Sequence, residues 1–347
     1  MSAPSQPLRV LVTGGGGFLG RAVIERLLTR GDRVRIFARG HYPDLAARGV
    51  EVCRGDLLDR AAVVAACSGC DAVFHLAAKA GISVHYADYH GPNVVGTENV
   101  LTGCRNHGVR RLVFTSSPSV VFSGQDMEGV NESAPYPARY LAHYPRSKAI
   151  AEMQVLSSNS ADLRTISLRP HLIWGPGDTN LVPRIIARAF TLRRIGDTNN
   201  LVDNLYIDDA ADAHILACDA LVPGSPAAGQ AYFISQGEPR PLWELINAIL
   251  DAAGYPPVER RVSPAFAGAV AWLSAWAYYL LRLRGEPRLT PFLLHQLSTA
   301  HWFDISAARR DLGYEPRVSI DEGLRRLRAW LRAEHVAGGL RPRATIT

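Results

Sequence analysis

The sequence has few cysteines, no signal-peptide core and no stretch in which basic and aromatic residues alternate. Its five cysteines among 347 residues are an odd, sparse set, which excludes a disulfide framework and favours a reducing compartment. Residues 1–7 lack the apolar run of a signal peptide, and no segment has the pattern that follows a nucleic-acid strand. We therefore expect a cytoplasmic protein without a nucleic-acid partner.

The sequence also lacks a metal-binding pattern. Cys67 and Cys70 have the spacing of a CxxC pair, but no second pair and no nearby histidine completes a set of ligands. Structural zinc sites need four such ligands. We expect no metal site.

Charge of neither sign dominates. Lys and Arg total 38 and Asp and Glu total 32, which gives a formal net charge of +6. This mild excess favours an anionic ligand or surface, and the arginines near the C-terminus are typical of a solvated helix face. With 47% hydrophobic and 20% charged residues, the composition is that of a soluble globular protein.

One segment is apolar enough to raise the question of a membrane. Residues 264–281 carry no formal charge and are followed by Arg282, Arg284 and Arg288. The segment barely reaches the length of a spanning helix, and it contains Trp and Tyr, which prefer interfaces. Three interpretations stay open, in this order: a buried or substrate-covering helix, a helix on a membrane surface, and a true span.

Short apolar strands alternate with helices in the first half of the chain. Such alternation is typical of an α/β fold, a Rossmann-type doubly wound parallel sheet whose ligands bind beyond the carboxyl ends of the strands. The alternation of strands and helices weakens after residue 178, where predicted helices predominate. We expect a Rossmann domain over residues 1–178, a mostly helical substrate-binding lobe over 179–335 with some segments returning to the sheet, and a flexible tail over 336–347.

A glycine cluster follows the first predicted strand. The run Thr13-Gly-Gly-Gly-Gly-Phe-Leu-Gly20 has TGxxGxxG spacing between a strand and a helix. Gly14 permits the tight turn, Gly17 lets the backbone approach a pyrophosphate, and Gly20 lets the helix pack close to the sheet. With Phe18 and Leu19 these residues form a predicted dinucleotide-binding loop.

The end of the second predicted strand indicates which dinucleotide is preferred. An NAD site usually has a carboxylate there, but this sequence has Ala38 followed by Arg39. An arginine at that position can pair with a 2′-phosphate, so we expect NADP(H) to be preferred while NAD(H) stays open. Arg21 and His41 could assist. Six further residues at strand ends are candidate cofactor contacts: Asp56, Leu57, Ala77, Ala78, Lys79 and Pro170.

A Tyr and a Lys stand four residues apart in the run Tyr144-Pro-Arg-Ser-Lys148. On a helix this spacing places both side chains on one face, and a lysine beside a phenol lowers the phenol pKa. The phenol then becomes a usable proton donor near neutral pH. Ser116, Ser117 and Ser119 follow the fifth predicted strand, and each is a candidate to orient a substrate carbonyl.

In their order along the chain, TGGGGFLG, GDL, HLAAKAG, NVVGTENV, TSSPSVVF, YPRSK and LRPHLIWGPGD resemble the extended short-chain dehydrogenases/reductases. Within that family the chain is similar to the 3β-hydroxysteroid dehydrogenase subgroup. GHYPDL, GISVHYADYH, AYFISQGEP and the segment around HWFDISAARRDLGY resemble bacterial 2-alkyl-3-oxoalkanoate reductases of long-chain olefin biosynthesis.

The resemblance implies a role for each residue of the catalytic group. Tyr144 would be the general acid, Lys148 would lower its pKa and bind the nicotinamide ribose, and Ser117 would orient the carbonyl, with Ser116 and Ser119 still open. In such enzymes Asn93 is more often a structural helix residue than a catalytic one.

The resemblance also implies NADPH-dependent reduction of the 3-keto group of a long-chain 2-alkyl-3-oxoalkanoic acid. The substrate carboxylate needs a cation, and Lys79, Arg146, His171 and Arg184 are candidates. Expected partners are a second copy of the chain, other olefin-pathway enzymes and, through residues 265–283, a membrane surface.

Three alternatives stay open. An NAD(P)-dependent dehydrogenase acting on a 3β-hydroxysteroid or a sterol-4-carboxylate would share every motif. A non-catalytic NADP-binding regulatory protein would more often lack the Tyr–Lys pair. A sugar-nucleotide epimerase or reductase would need a polar diphosphate site, which the Trp- and Leu-rich lobe does not indicate.

Overall fold

The computed structural model describes residues 7–196, 199–281, 283, 287 and 289–336. The flexible tail expected over residues 336–347 lies, except for residue 336, outside these residues. The strands are β1 (Arg9–Thr13), β2 (Arg33–Ala38), β3 (Glu51–Arg54), β4 (Ala72–His75), β5 (Arg111–Thr115), β6 (Met127–Val130), β7 (Arg164–Pro170), β8 (Ile173–Trp174), β9 (Arg194–Ile195), β10 (Leu201–Val202), β11 (Leu205–Tyr206), β12 (Ala231–Ile234), β13 (Arg240–Pro241), β14 (Arg261–Val262) and β15 (His301–Phe303).

Helices separate most of these strands. They are α1 (Phe18–Arg30), α2 (Pro43–Ala46), α3 (Arg60–Ala66), α4 (Ala87–Tyr89), α5 (Gly96–Asn106), α6 (His143–Ser157), α7 (Leu181–Ala187), α8 (Ile207–Ala220), α9 (Leu242–Ala252), α10 (Pro264–Leu280), α11 (Pro291–Ser298), α12 (Ser306–Leu312) and α13 (Ile320–Val336). A π-helix (His90–Val95) runs into α5, and a 3₁₀ helix (Pro118–Val121) follows β5.

The central sheet confirms the predicted fold class. Its seven strands are all parallel and lie in the order β3-β2-β1-β4-β5-β7-β12. Val10, Leu11 and Val12 of β1 are fully buried, as expected for a strand covered on both faces. The chain runs outward from β1 in one direction and then continues from β4 in the other, so a ligand crevice is expected beyond the carboxyl ends of β1 and β4.

Two apolar cores cover the faces of this sheet. On one side Val23, Ile24 and Leu27 of α1 pack with residues of α8 against the strands. On the other side residues of α3, α5 and α6 pack against Leu11 and Phe114. The two layers hold the carboxyl ends of the strands in register, and these ends carry the candidate site.

Segments cross the boundary predicted at residue 178 in both directions. Strand β12 returns from the later part of the chain to the edge of the central sheet, as the sequence led us to expect. Conversely, β6 from the earlier part pairs with β15 in a small four-stranded sheet. The division into domains stays a prediction.

Helix α10 occupies the segment that raised the membrane question. It is 17 residues long, and no helix among the described residues is long and apolar enough to cross a bilayer. The Ser263 hydroxyl caps its start by accepting a hydrogen bond from the Phe266 amide at 3.2 Å. Only Ala267 and Ala271 of this helix are buried, so α10 is exposed along most of its length.

Two helix glycines provide a test of the packing between α1 and the glycine loop. A Cβ on Gly20 would lie 2.3 Å from the Gly14 carbonyl oxygen, whereas a Cβ on Gly268 of α10 would meet nothing nearer than 3.9 Å. We expect Gly20→Ala to destabilise the protein by about 1–3 kcal/mol through overpacking. Gly268→Ala should stabilise it by about 0.5–1 kcal/mol, because alanine loses less backbone entropy in a helix. Urea unfolding of both variants measures this, and equal effects of the two substitutions would contradict the packing.

Candidate active site

The glycine loop lies at the switch point of the sheet. Gly14 has a φ of +72°, and a Cβ there would lie 2.9 Å from the Ala77 backbone, so the loop packs directly on the segment after β4. The Gly17 amide donates to the Gly14 carbonyl at 2.9 Å, and α1 starts at the next residue, Phe18. The N-terminus of α1 therefore faces the carboxyl edge of the sheet, where a helix favours a bound phosphate.

Arg39 is exposed immediately after β2, and His41 is exposed beside it. Arg21, the other predicted helper, forms an ion pair with Asp44 and donates to the Gly16 carbonyl at 3.3 Å. Arg21 is therefore already paired with a carboxylate in this structure.

The remaining predicted cofactor contacts lie at the same edge. Asp56 is exposed and its carboxylate accepts a hydrogen bond from the Leu58 amide at 3.0 Å, while Leu57 packs against Gly96 of α5. Ala77, Ala78 and Lys79 form the segment after β4, and Pro170 is buried at the end of β7.

A buried hydrogen-bond chain connects this edge to the neighbouring helices, and the sequence analysis missed it. The Ala77 amide donates to Thr13 Oγ1 at 3.3 Å, and Thr13 Oγ1 lies 2.7 Å from His75 Nδ1. On the other side His75 Nε2 lies 2.9 Å from Thr97 Oγ1, which donates to the Asn93 carbonyl at 2.6 Å. Each donor in these four hydrogen bonds meets an acceptor when His75 is neutral and protonated on Nε2. Burial, helped by the charge of Lys148, lowers the pKa of His75 to about 3 and keeps it neutral.

Asn93 joins two parts of the site. Its side chain accepts from the Lys79 amide at 2.7 Å and donates to the Lys79 carbonyl at 2.9 Å. It also donates to Ser147 Oγ of α6 at 2.9 Å. Asn93 lies in the π-helix, a local irregularity that is frequent at functional sites. This geometry agrees with a structural role for Asn93.

Tyr144 and Ser117 meet at the carboxyl end of β5. Tyr144 lies in the first turn of α6, and its phenol neighbours the Ser117 hydroxyl. Burial raises the pKa of Tyr144, and the contact with Ser117 acts in the opposite direction. Ser117 Oγ also lies 2.9 Å from Ser119 Oγ, so Ser119 contacts the pair through Ser117.

Lys148 lies one helical turn after Tyr144 and is almost fully buried. Its ammonium group donates to the Thr115 carbonyl at 2.7 Å and lies 4.0 Å from the centre of the Phe114 ring. Burial lowers the pKa of Lys148 to about 7. Lys148 is held by the main chain in this structure, and the lowering of the Tyr144 pKa by Lys148 stays a prediction.

A buried ion pair lies behind this cluster and was also missed from the sequence. Glu152, one turn after Lys148, is fully buried and accepts from Arg169 at 2.7 Å, from Tyr136 at 2.7 Å and from Ser167 at 2.8 Å. Its charge raises the pKa of Lys148, opposing burial. A Glu four residues after the Lys was the available signal, since that spacing places it on the same helix face.

The position of the ion pair also distinguishes Ser116 from Ser117. The Ser116 hydroxyl lies beside Glu152 and helps to lower the pKa of that carboxyl, after the larger contribution of Arg169. Ser116 therefore faces the ion pair, and Ser117 faces Tyr144.

One predicted substrate cation needs correction. His171 is buried, its Nδ1 lies 2.7 Å from the Asp203 carbonyl oxygen, and burial lowers its pKa to about 3. It is therefore uncharged at neutral pH and cannot neutralise a carboxylate. Lys79, Arg146 and Arg184 are exposed, and the guanidinium of Arg146 lies 4.9 Å from the centre of the Tyr86 ring.

A cavity of about 300 Å³ adjoins the start of α6. It lies between α10 and two loops, one around residues 82–84 and the other over residues 140–143, which directly precede Tyr144. Among the described residues, no group of three or more His, Cys, Asp or Glu side chains could hold a metal ion. The site thus combines a nucleotide-type loop, a Ser–Tyr–Lys cluster and an apolar cavity.

Comparison with known proteins identifies the family. The sequence model of the protein family described as "3-beta hydroxysteroid dehydrogenase/isomerase family" matches residues 11–264 of this chain. The chain belongs to this family. It is similar to the 2-alkyl-3-oxoalkanoate reductase of Stenotrophomonas maltophilia (strain K279a), with 52% identity over 326 residues that cover 93% of this chain and 99% of that protein. These matches confirm the predicted family and an oxidoreductase of the extended short-chain type.

More distant relatives share the architecture. The 3 beta-hydroxysteroid dehydrogenase/Delta 5-->4-isomerase of Mycobacterium tuberculosis (strain ATCC 25618 / H37Rv) is 36% identical, with 91% of this chain and 88% of that protein covered. The crystal structure of gox2253 is 27% identical with a TM-score of 0.75, covering 96% of this chain and 99% of that one. MoeE5 in complex with UDP-glucose and NAD has a TM-score of 0.73 at 24% identity, covering 94% and 99%, which shows a shared fold.

The buried state of Lys148 has a measurable consequence for stability. Because its pKa falls from 10.5 to about 7 on folding, the unfolded chain binds a proton that the folded chain lacks between these values. The stability of the wild type should therefore rise with pH in this window relative to Lys148→Met, which cannot titrate there. Urea unfolding at intervals from pH 6.5 to 10 measures the difference, and a difference that is constant with pH would contradict the burial of Lys148.

Proposed function

We propose that this protein reduces the 3-keto group of a long-chain 2-alkyl-3-oxoalkanoic acid to the 2-alkyl-3-hydroxyalkanoic acid with NADPH. The observation that carries the proposal is the contact between the Tyr144 and Ser117 hydroxyls, with Lys148 one turn away, at the sheet edge that also carries the glycine loop. The high identity to a protein named for this reaction supports the choice of substrate. The product would enter an olefin-forming pathway.

The residues of the site fit a nicotinamide dinucleotide. Gly14, Gly17 and the N-terminus of α1 would hold its pyrophosphate, and Lys148 would bind the nicotinamide ribose. When bound, the dinucleotide supplies the hydride. Ser117 would donate a hydrogen bond to the substrate carbonyl, and Tyr144 would give its phenolic proton to the oxygen as the carbon is reduced. Lys148, one helical turn from Tyr144 on the same helix, would compensate the phenolate left behind.

The preference for NADPH rests on the end of β2. No carboxylate stands there to accept hydrogen bonds from a ribose, because Ala38 occupies the position and Arg39 follows it. A 2′-phosphate beside Arg39 would gain charge-assisted hydrogen bonds. NADH would lack the group that Arg39 recognises.

A second candidate function is oxidation of a 3β-hydroxysteroid or a sterol-4-carboxylate with NAD(P). The matched family favours it, and the apolar cavity beside Tyr144 could accept a sterol ring as well as an alkyl chain. A non-catalytic NADP-binding role is disfavoured, since the whole Ser–Tyr–Lys cluster is present. The epimerase alternative has only a shared fold in its support.

The proposal extends to partners. Following the family resemblance, we propose a homodimer formed through the helices that flank α6, and an assembly with the enzymes that consume the product. We also propose peripheral contact of residues 265–283 with an anionic lipid surface, because residues 260–285 contain no Asp or Glu and include four arginines.

Turnover assays with purified protein test the reaction. We expect reduction of a synthetic 2-alkyl-3-keto acid with NADPH, and a loss of about 10²–10⁴ in rate in Tyr144→Phe because the proton donor is removed. In the reverse direction a 2-alkyl-3-hydroxy acid should be oxidised and a 3β-hydroxysterol should not. Oxidation of the sterol with NAD, and no turnover of the acid, would contradict the proposal and favour the second candidate.

Binding of the two cofactors tests the role of Arg39. Arg39→Ala should weaken NADPH binding about tenfold to a hundredfold and leave NADH binding unchanged, because a charged hydrogen bond contributes about 1.5–3 kcal/mol. Arg39→Lys, which keeps the charge, should fall between the wild type and Arg39→Ala. Fluorescence titration of the reduced cofactors gives both constants. An equal loss for NADPH and NADH would refute recognition of the 2′-phosphate.

A further inference from the structure

Helix α10 has apolar side chains around its whole circumference but packs along only one stripe. Ala267 and Ala271 form the packed stripe, and the helix contacts α11. A helix that is apolar on every side is normally buried. The rest of the helix surface consists of two uncovered apolar stripes, and each is a candidate binding surface.

The two uncovered stripes face different surroundings. Trp272, Trp276 and Tyr279 recur at helical spacing and line the cavity beside the start of α6, yet they remain 62%, 52% and 63% exposed. Phe266 and Leu273 belong to the other stripe, are 62% and 72% exposed, and do not line the cavity. We call these the cavity stripe and the outer stripe.

The cavity opposite Trp272, Trp276 and Tyr279 is closed by apolar side chains from three other segments. Ile82 and Val84 come from the loop that precedes α4, Leu141 from the loop before Tyr144, and Phe292 from α11. No Asp, Glu, Lys or Arg is among the described residues that line it, and burial lowers the pKa of His143 and so favours its neutral form. The lining also includes Ser83, Tyr140 and Thr290. Its indole and aliphatic side chains fit an apolar chain, and it offers no fixed positive charge to a diphosphate.

We propose that the cavity stripe forms one wall of a binding subsite for a long alkyl chain of the substrate. The inference rests on the proposed function for the identity of the substrate, but not for the chemistry of the subsite. An alkyl chain lying in the cavity would cover the exposed faces of the indoles of Trp272 and Trp276. The length of this wall along α10 would then set the preference for long chains over short ones.

The test compares two substitutions on the same helix. Trp272→Ala removes a cavity-stripe side chain and Phe266→Ala removes an outer-stripe side chain of equal exposure, 62% in each case. With 2-alkyl-3-keto acids of long and short chains, we expect the ratio of kcat/KM for long over short to fall about tenfold in Trp272→Ala, as burial of apolar area of this size predicts. The ratio should keep its wild-type value in Phe266→Ala.

A second measurement needs no turnover. cis-Parinaric acid, a fluorescent long-chain fatty acid excited directly, should bind the wild type and Phe266→Ala alike and bind Trp272→Ala about tenfold more weakly. If no keto acid is reduced but parinarate binding still depends on Trp272, the proposed function fails and the subsite stands. Equal effects of the two substitutions on parinarate binding, or an equal change in the chain-length ratio, would overturn the subsite.

Discussion

The hydrogen-bond chain through His75 is the interaction on which the rest of the site depends. It begins at the segment after β4, passes through Thr13 at the end of β1 and ends at the π-helix carbonyl of Asn93. Asn93 in turn holds α6 through Ser147. The glycine loop and the helix that carries Tyr144 are thus connected by buried, neutral, fully directed hydrogen bonds. Low dielectric makes each such bond costly to lose, so these bonds fix the position of the glycine loop relative to Tyr144.

Burial determines the electrostatics of the cluster. Burial lowers the pKa of Lys148, and the charge of Glu152, one helical turn away, raises it in part. Arg169 holds Glu152 in its ionised state, so a buried anion lies beneath the reacting groups. Removing one member of such a pair leaves an unpaired charge in the interior, so we expect the loss of either Glu152 or Arg169 to destabilise the fold. The same burial leaves His171 uncharged.

The proposed chain-binding surface on α10 has a different character. Its surfaces are formed by side chains that are apolar and incompletely covered, on a helix that the protein itself does not enclose. A large exposed apolar patch is rare on a soluble protein unless something binds it. The cavity lined by α10 reaches His143, the residue before Tyr144. The Ser–Tyr–Lys cluster and the proposed chain-binding surface are therefore formed by different side chains.

The sequence by itself determined the fold class, the glycine loop, the Tyr–Lys pair and the family, because each depends on residues close together along the chain. Strand and helix periods, the turn at Gly14 and a four-residue helical spacing are local properties. Only the tertiary structure decided that Ser117 rather than Ser116 meets Tyr144, that Lys148 is held by Thr115, and that His171 is neutral. Those outcomes depend on burial and on partners that lie far away along the chain, such as Glu152 and Arg169 on separate elements. Charge state and contact are properties of the packed interior, and no local pattern specifies them.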